Sequence, residues 1–173
     1  MIIIEGTDLL GKTTLAHALV KALNDKELPH VYQHLSKLPD CFDVYWGYIP
    51  LIRRHIVQDR FHLSRQAYGT VFNNQKLFNP MELSLLKGAL AKVGAFVVLC
   101  TGTKEFIKSQ WGREEMYDLN GVIKVNDVFY KMSSDHHIHL CGQQWASDDC
   151  DEIVKKYLVK QEQLDVINQR KSS

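Results

Sequence analysis

Short apolar runs alternate along the chain with longer stretches in which apolar residues recur every three or four positions. The runs are rich in β-branched residues and contain few polar residues, as is typical of strands covered on both faces of a sheet. They occupy residues 1–5, 30–34, 55–59, 95–100 and 138–141. We therefore expect five short, buried strands.

The stretches between the runs carry the period of amphipathic helices. The first of them brings Leu15, Leu19 and Leu23 to one face. The predicted helices cover residues 12–23, 43–54, 81–93 and 150–167. Strands that alternate with helices predict an α/β fold of three layers, in which a five-stranded parallel sheet has helices on both faces.

Composition narrows the class of protein. The 173 residues suit one domain, 1–173. No apolar run approaches the ~20 residues that span a bilayer, so we expect no membrane partner. A formal net charge of +1 gives no overall field to hold a nucleic acid polymer. Glu5 interrupts the N-terminal apolar run, so no export signal is expected.

The cysteines indicate a reducing compartment. They form no CxxC pair, and two of them lie within apolar runs, which favours buried free thiols over disulfides or metal ligands. The four are Cys41, Cys100, Cys141 and Cys150. We therefore expect a cytoplasmic protein.

Residues 6–13 read GTDLLGKT and match the pattern GxxxxGK[ST] between the first predicted strand and the first predicted helix. Backbone N–H groups of such a loop, together with the N-terminus of the helix, bind phosphates. Lys12 would reach the β and γ phosphates of ATP, and Thr13 would hold Mg²⁺. The predicted ATP-binding residues are Gly6, Asp8, Gly11, Lys12, Thr13 and Thr14. An ordinary glycine turn that opens a βα unit is the structural alternative.

Three segments of the chain carry a resemblance to a known family. The chain reads EGTDLLGKTT at residues 5–14, DRFHLSRQAYG at 59–69 and GREEMYD at 112–118. In this order the segments resemble the thymidylate kinase and deoxynucleoside kinase group of P-loop kinases, which includes compact viral members. The resemblance implies a P-loop kinase fold with a small lid at about residues 109–121 and pairing into a homodimer. For a viral member, the expected location is the host cytoplasm.

The resemblance also implies roles for individual residues. Phosphoryl transfer depends on charge neutralisation and alignment more than on covalent participation of the protein. Lys12 and Arg113 would therefore neutralise the transferring phosphoryl group. Asp59 would support Mg²⁺ through water, Arg60 would grip the acceptor, and Asp8 would face the acceptor sugar. Plainer explanations stay open, namely a local ion pair at a strand end for Asp59-Arg60 and a solvated surface charge for Arg113.

The nature of the acceptor depends on the stretch after the second predicted strand. Deoxynucleoside kinases resemble one another in placing a glutamate there as the general base, and thymidylate kinases carry Arg-Glu-Pro near this point. Residues 33–43 contain neither, which favours a monophosphate acceptor. Lys37 is the candidate to replace the arginine, with Arg53 and Arg54 as further candidates. A second possibility stays open, in which Asp40 or Asp43 of this stretch acts as the general base for a nucleoside acceptor.

We therefore predict a deoxynucleoside monophosphate kinase that depends on ATP and Mg²⁺. It would transfer the γ-phosphoryl group to a pyrimidine deoxynucleotide such as dTMP, giving the diphosphate. Tyr68 and Phe72, one helical turn apart, would stack on the base, with helix core as the alternative. The predicted substrate-binding residues are Asp8, Lys37, Arg60, Tyr68 and Phe72. Two other functions stay open: a deoxynucleoside kinase, and a nucleotide-binding module without catalysis.

Overall fold

The computed structural model describes residues 1–36, 44–73, 76–112, 117–132, 136–141 and 147–172. Its five strands form one parallel sheet in the order β2-β3-β1-β4-β5. The strands are β1 (Ile2–Gly6), β2 (Val31–His34), β3 (Ile56–Asp59), β4 (Phe96–Gly102) and β5 (His137–Cys141). The predicted α/β fold with a five-stranded parallel sheet is confirmed, and each strand lies within two residues of its predicted bounds.

Helices connect the strands and cover the sheet. They are α1 (Lys12–Asn24), α2 (Val44–Tyr48), α3 (His62–Phe72), α4 (Pro80–Lys92), α5 (Lys104–Gln110), α6 (Leu119–Lys131) and α7 (Ser147–Ser172). The helix predicted over residues 43–54 is shorter, because a 3₁₀ turn, Ile49–Leu51, follows α2 and contains Pro50, whose ring prevents a regular α-helix. None of the described helices is long and apolar enough to cross a membrane.

The two faces of β1 explain the three layers. Successive side chains of a strand point to opposite faces, and every residue of β1 is buried. Ile2 and Ile4 pack in the cluster that includes Leu15 of α1 and Tyr157 of α7. Ile3 packs on the other side, in a cluster with residues of α2 and α4 and with Phe61, which precedes α3. Apolar burial on both faces of the central strand therefore holds helices on both sides of the sheet.

The carboxyl ends of the parallel strands lie along one edge of the sheet. Asp59, the last residue of β3, pairs with Ile4 of β1 on one side and with His34 of β2 on the other. The loops that follow β1 and β3 are therefore neighbours at this edge. In doubly wound sheets this is the edge at which ligands bind.

The described cysteines are free thiols. Cys100 and Cys141 are buried, and Cys150 is half-buried. Cys41 lies outside the described residues. The prediction of buried free thiols therefore holds for the two cysteines on strands.

Candidate active site

The loop between β1 and α1 owes its shape to two glycines. Gly6 has a φ of 146°, and a Cβ atom there would overlap the carbonyl oxygen of Cys100 on β4. Gly11 has a φ of 67°, in the left-handed region, and precedes the first turn of α1. No side chain of the described residues caps this helix. The N–H groups of its first turn are thus available to an anion, as in phosphate-binding loops.

The side chain of Lys12 lies inside this loop. It is only 6 % exposed, and its Nζ atom donates a hydrogen bond of 2.6 Å to the carbonyl oxygen of Thr7. Burial, with the nearby Arg60 guanidinium, lowers the pKa of Lys12. The Thr7 hydroxyl donates to the carbonyl oxygen of Val122 at 3.3 Å, which ties the loop to α6. The structure therefore holds a shielded cation at the centre of the loop.

Asp59 joins the loop to the end of β2. Its Oδ2 atom accepts hydrogen bonds from the Thr13 hydroxyl at 2.6 Å and from the Tyr32 hydroxyl at 3.2 Å. His34 Nδ1 lies 3.3 Å from the same oxygen. The structure therefore brings together Thr13 and Asp59, which the sequence predicts as metal-binding residues. Tyr32 and His34 were not predicted from the sequence, because they become neighbours of Asp59 only when β2 pairs with β3.

The oxygen atoms of this cluster fit a magnesium ion. Asp59 is 1 % exposed, and its Oδ1 atom is buried without a hydrogen-bond partner among the described residues. Mg²⁺ takes oxygen ligands and is commonly held by one or two protein groups together with waters and substrate phosphates. The hydroxyl of Thr13 and the carboxylate of Asp59 provide such a set. The described ranges contain no group of three or more histidine, cysteine or acidic side chains that could hold a metal ion without other ligands.

Asp8 and Arg60 form an ion pair between the two loops at this edge. Although burial opposes it, the Asp8 carboxylate raises the pKa of Arg60. Asp8 Oδ2 also accepts a hydrogen bond of 2.8 Å from the Tyr68 hydroxyl, which in turn accepts one of 3.1 Å from the Asp8 N–H. Burial and the Asp8 charge raise the pKa of Tyr68, so its phenol stays protonated. Three of the predicted substrate-binding residues are therefore in contact with one another.

Three aromatic rings pack against one another, and one of them, Tyr68, contacts this ion pair. The rings of Phe72 and Tyr117 stack with centroids 4.2 Å apart and an angle of 21° between their planes. The ring centroids of Tyr68 and Tyr117 lie 5.3 Å apart, and Tyr68 packs in the core against residues of α6. A Cβ atom at Gly121 would overlap the Phe72 ring, so this glycine makes room for it. Tyr68 is thus a core residue that also contacts Asp8, and Tyr117 is a third aromatic of this group that the sequence did not indicate.

Glu5 is a further residue that sequence analysis missed. Its carboxylate is fully buried and accepts hydrogen bonds from the N–H groups of Leu63, at 2.8 Å, and Ser64, at 3.1 Å. It also accepts one from the Ser64 hydroxyl. Burial raises the pKa of Glu5, and these hydrogen bonds oppose the rise. Glu5 therefore fixes the start of α3 to the end of β1, which positions Tyr68. The signal in the sequence was a charged residue at the end of an apolar run.

The remaining candidate residues are either outside the described part of the chain or in other surroundings. Lys37 and Arg113 lie outside the described residues. Thr14 is exposed on the first turn of α1. Arg54 pairs with Asp165 of α7 at 3.3 Å, and Arg53 Nε donates to the carbonyl oxygen of Pro50 at 3.1 Å. The structure thus gives neither Arg53 nor Arg54 a contact with the ion pair of Asp8 and Arg60.

Comparison with known proteins rests on structure alone. No protein-family model matches the chain, and no curated protein matches it. The crystal structure of YorR protein from Bacillus subtilis, in complex with phosphorylated GDP, has a TM-score of 0.74 and 22 % sequence identity. That match covers 94 % of this chain and 96 % of YorR.

A thymidylate kinase from Ehrlichia chaffeensis matches with a TM-score of 0.48 and 17 % identity, over 91 % of this chain and 95 % of that one.

The YorR match covers nearly the whole of both chains. This chain has a parallel sheet in the order β2-β3-β1-β4-β5 and a loop of the phosphate-binding type after its central strand. The chain therefore has a P-loop kinase-like fold.

Proposed function

We propose that the chain is a single-domain deoxynucleoside monophosphate kinase that depends on ATP and Mg²⁺. It transfers the γ-phosphoryl group of ATP to a pyrimidine deoxynucleotide such as dTMP and yields the diphosphate. The observation that carries this proposal is the meeting of two groups of side chains at one edge of the sheet. Lys12, Thr13 and Asp59 form the donor side, and the ion pair of Asp8 and Arg60 forms the acceptor side.

On the donor side, the backbone N–H groups of residues 6–13 would bind the phosphates of ATP. Lys12 would exchange the carbonyl oxygen of Thr7 for phosphate oxygens, and their negative charge favours its ammonium form. Thr13 and Asp59 would hold Mg²⁺, which when bound neutralises charge on the β and γ phosphates. These side chains would align the γ-phosphoryl group for transfer.

On the acceptor side, Arg60 would grip the 5′ phosphate and Asp8 would accept a hydrogen bond from the sugar. Tyr68 and Phe72 would form the wall of the base pocket, now with Tyr117 stacked on Phe72. Lys37 would add a cation near the 5′ phosphate. Arg113, in the lid at about residues 109–121, would neutralise the transferring group as the lid excludes water. The nucleotide bound to YorR supports a nucleotide ligand for this fold.

Lys12→Ala tests the donor side. We expect turnover to fall by about a thousandfold or more, because charge stabilisation of the transferring group is lost. The matched control is Lys21→Ala, which removes an exposed lysine from the same helix, where it pairs with Asp25. Its turnover should stay within about twofold of the wild type, since surface pairs contribute little. Near-normal turnover of Lys12→Ala would refute the mechanism.

A panel of acceptors tests the acceptor side. The wild-type protein is assayed with ATP and Mg²⁺ against thymidine and thymidine monophosphate, and transfer of labelled phosphate is measured. We expect faster turnover of the monophosphate. Faster turnover of thymidine would identify a deoxynucleoside kinase. Tight binding of ATP with no transfer to any nucleoside or nucleotide would identify a binding module without catalysis.

A further inference from the structure

Gln58 is a buried amide that the proposed mechanism does not use. It is the third residue of β3 and is 0 % exposed. Its Nε2 atom lies 3.1 Å from the carbonyl oxygen of Arg60, 3.2 Å from that of Gln33 and 3.4 Å from that of Asp59. Because three acceptors surround this atom, it must be the donor end of the amide. The side chain therefore connects the loop after β3 with β2 from inside the protein.

The other end of the amide carries a cost in stability. Gln58 Oε1 is buried and has no hydrogen-bond partner among the described residues. A buried acceptor without a partner is unfavourable, whereas an apolar side chain of similar size would fill the same space without that penalty. The hydrogen bonds that Nε2 donates must therefore offset this cost.

The backbone of residue 60 is the unusual feature that Gln58 contacts. Arg60 has a φ of 64°, in the left-handed region, which is unfavourable for a residue with a Cβ atom. Hydrogen bonds hold the residue on both sides. Its N–H donates to the carbonyl oxygen of Ile4 at 2.9 Å, and its carbonyl oxygen accepts from Gln58 Nε2 at 3.1 Å. Gln58 is thus the part of this clamp that a side-chain substitution can remove.

The direction of the Arg60 side chain depends on this backbone conformation. The guanidinium forms the ion pair with Asp8, and its Nε atom is buried without a hydrogen-bond partner among the described residues. The direction of the Cα–Cβ bond relative to the flanking peptide groups changes when φ changes sign, so a relaxed backbone would carry the guanidinium away from Asp8. A conformation of this kind persists only where its surroundings impose it.

We propose that Gln58 is a positioning residue, whose amide holds residue 60 in the left-handed conformation and so directs the Arg60 guanidinium to the 5′ phosphate of the acceptor. This inference rests on the proposed function, in which Arg60 binds that phosphate. Gln58 is buried, so it acts through Arg60 and not by contact with a substrate. The arginine is then oriented when the chain folds, and binding of the acceptor does not have to supply that ordering.

Gln58→Met tests the inference, because it keeps the length of the side chain and removes the amide. With ATP and Mg²⁺ we expect KM for dTMP to rise about 10-fold, since a hydrogen bond to a charged group is weakened. The value of kcat should stay within about threefold and KM for ATP within about twofold. The matched control is Gln161→Met, which removes an amide that donates to the carbonyl oxygen of Gly94, just before β4 at the opposite edge of the sheet. Its two KM values should stay within about twofold of the wild type.

A second background separates positioning from a general structural role. In Arg60→Ala the guanidinium is absent, so adding Gln58→Met should change KM for dTMP by less than about twofold. A rise of about 10-fold in both backgrounds, or an unchanged KM in Gln58→Met alone, overturns the inference while the proposed kinase activity stands. If Gln58→Met does not fold, Gln58→Asn gives the same comparison, because it withdraws the amide by one methylene.

A measurement without ligand separates the inference from the proposed function. The urea midpoints of Arg60→Gly and Arg60→Ala are compared in the otherwise unchanged chain and in Gln58→Met. Glycine tolerates the left-handed conformation better than alanine, so Arg60→Gly should have the higher midpoint in the otherwise unchanged chain. In Gln58→Met residue 60 can relax, and the difference should fall by at least about half. An equal difference in both backgrounds, or none in the otherwise unchanged chain, overturns the inference, whatever the phosphoryl-transfer assay shows.

Discussion

Replacing Tyr68 by phenylalanine removes one hydroxyl that connects the phosphate-binding loop to α3. The hydroxyl donates to Asp8 Oδ2 at 2.8 Å and accepts from the Asp8 N–H at 3.1 Å. The tyrosine is 3 % exposed, and phenylalanine fills almost the same volume. The substitution therefore removes two hydrogen bonds and leaves the packing of the ring nearly unchanged.

The magnitude follows from the two hydrogen bonds. A hydrogen bond to a charged group contributes about 1.5–3 kcal/mol and a neutral one about 0.5–1.5 kcal/mol. The Asp8 side chain is 21 % exposed, so water recovers part of the loss. We expect the free energy of unfolding of Tyr68→Phe to fall by about 2 kcal/mol. For a chain of this length that lowers the melting temperature by about 4–8 °C.

The assay is urea denaturation of the wild type, Tyr68→Phe, Asp8→Asn and the double variant. The four free energies form a double-mutant cycle, and we expect a coupling energy of about 1 kcal/mol or more between the two side chains. Tyr130→Phe, at an exposed tyrosine, is the control and should change stability by less than about 0.5 kcal/mol. A loss below about 0.5 kcal/mol in Tyr68→Phe, or additive effects in the cycle, would refute the reasoning.

Two further predictions concern acid stability and the aromatic wall. Burial lowers the pKa of His62 to about 3, so below pH 6.5 the unfolded chain binds a proton that the folded chain does not. The free energy of unfolding should therefore decrease as the pH is lowered. In urea titrations, His62→Gln should reduce the decrease between pH 6 and pH 4 by about 2–3 kcal/mol. An unchanged decrease would contradict this. Gly121→Ala should displace Phe72, lower stability by about 1–3 kcal/mol and raise KM for the acceptor. Its control, Gly88→Ala, adds a Cβ in open space on a helix and should raise the free energy of unfolding by up to about 1 kcal/mol. Equal changes in stability for Gly121→Ala and Gly88→Ala would exclude the steric explanation.

Features that depend on local pattern were readable from the sequence. The strand bounds follow from short apolar runs, and the phosphate-binding loop follows from the spacing of Gly6, Gly11 and Lys12 between a strand and a helix. The helix after residue 43 was overestimated, because its apolar spacing continues past Pro50 while the backbone does not. The seven-residue helix α5 went unpredicted, because so short a helix covers fewer than two turns and shows little periodic pattern.

Contacts between strands and helices that are distant in the sequence could not be predicted from the sequence. The sheet order places β2 beside β3, and only this order brings Tyr32 and His34 to Asp59. Glu5 caps a helix that begins 57 residues later, at His62, and no local pattern announces such a contact. An arginine in a helix is ordinarily exposed, so burial of Arg65 became visible only in the packed structure.

The contacts that hold the loop after β1 have a consequence for the energetics of ligand binding. Gly6 lies against the carbonyl oxygen of Cys100, and the carbonyl oxygen of Leu10 accepts a hydrogen bond of 3.1 Å from Cys141 Sγ. The hydroxyl of Thr7 is bound to α6. The loop is thus ordered by two strands and a helix, so the conformational entropy of shaping it is lost when the chain folds. A ligand that binds there meets a preorganised surface, and more of its interaction energy appears as affinity.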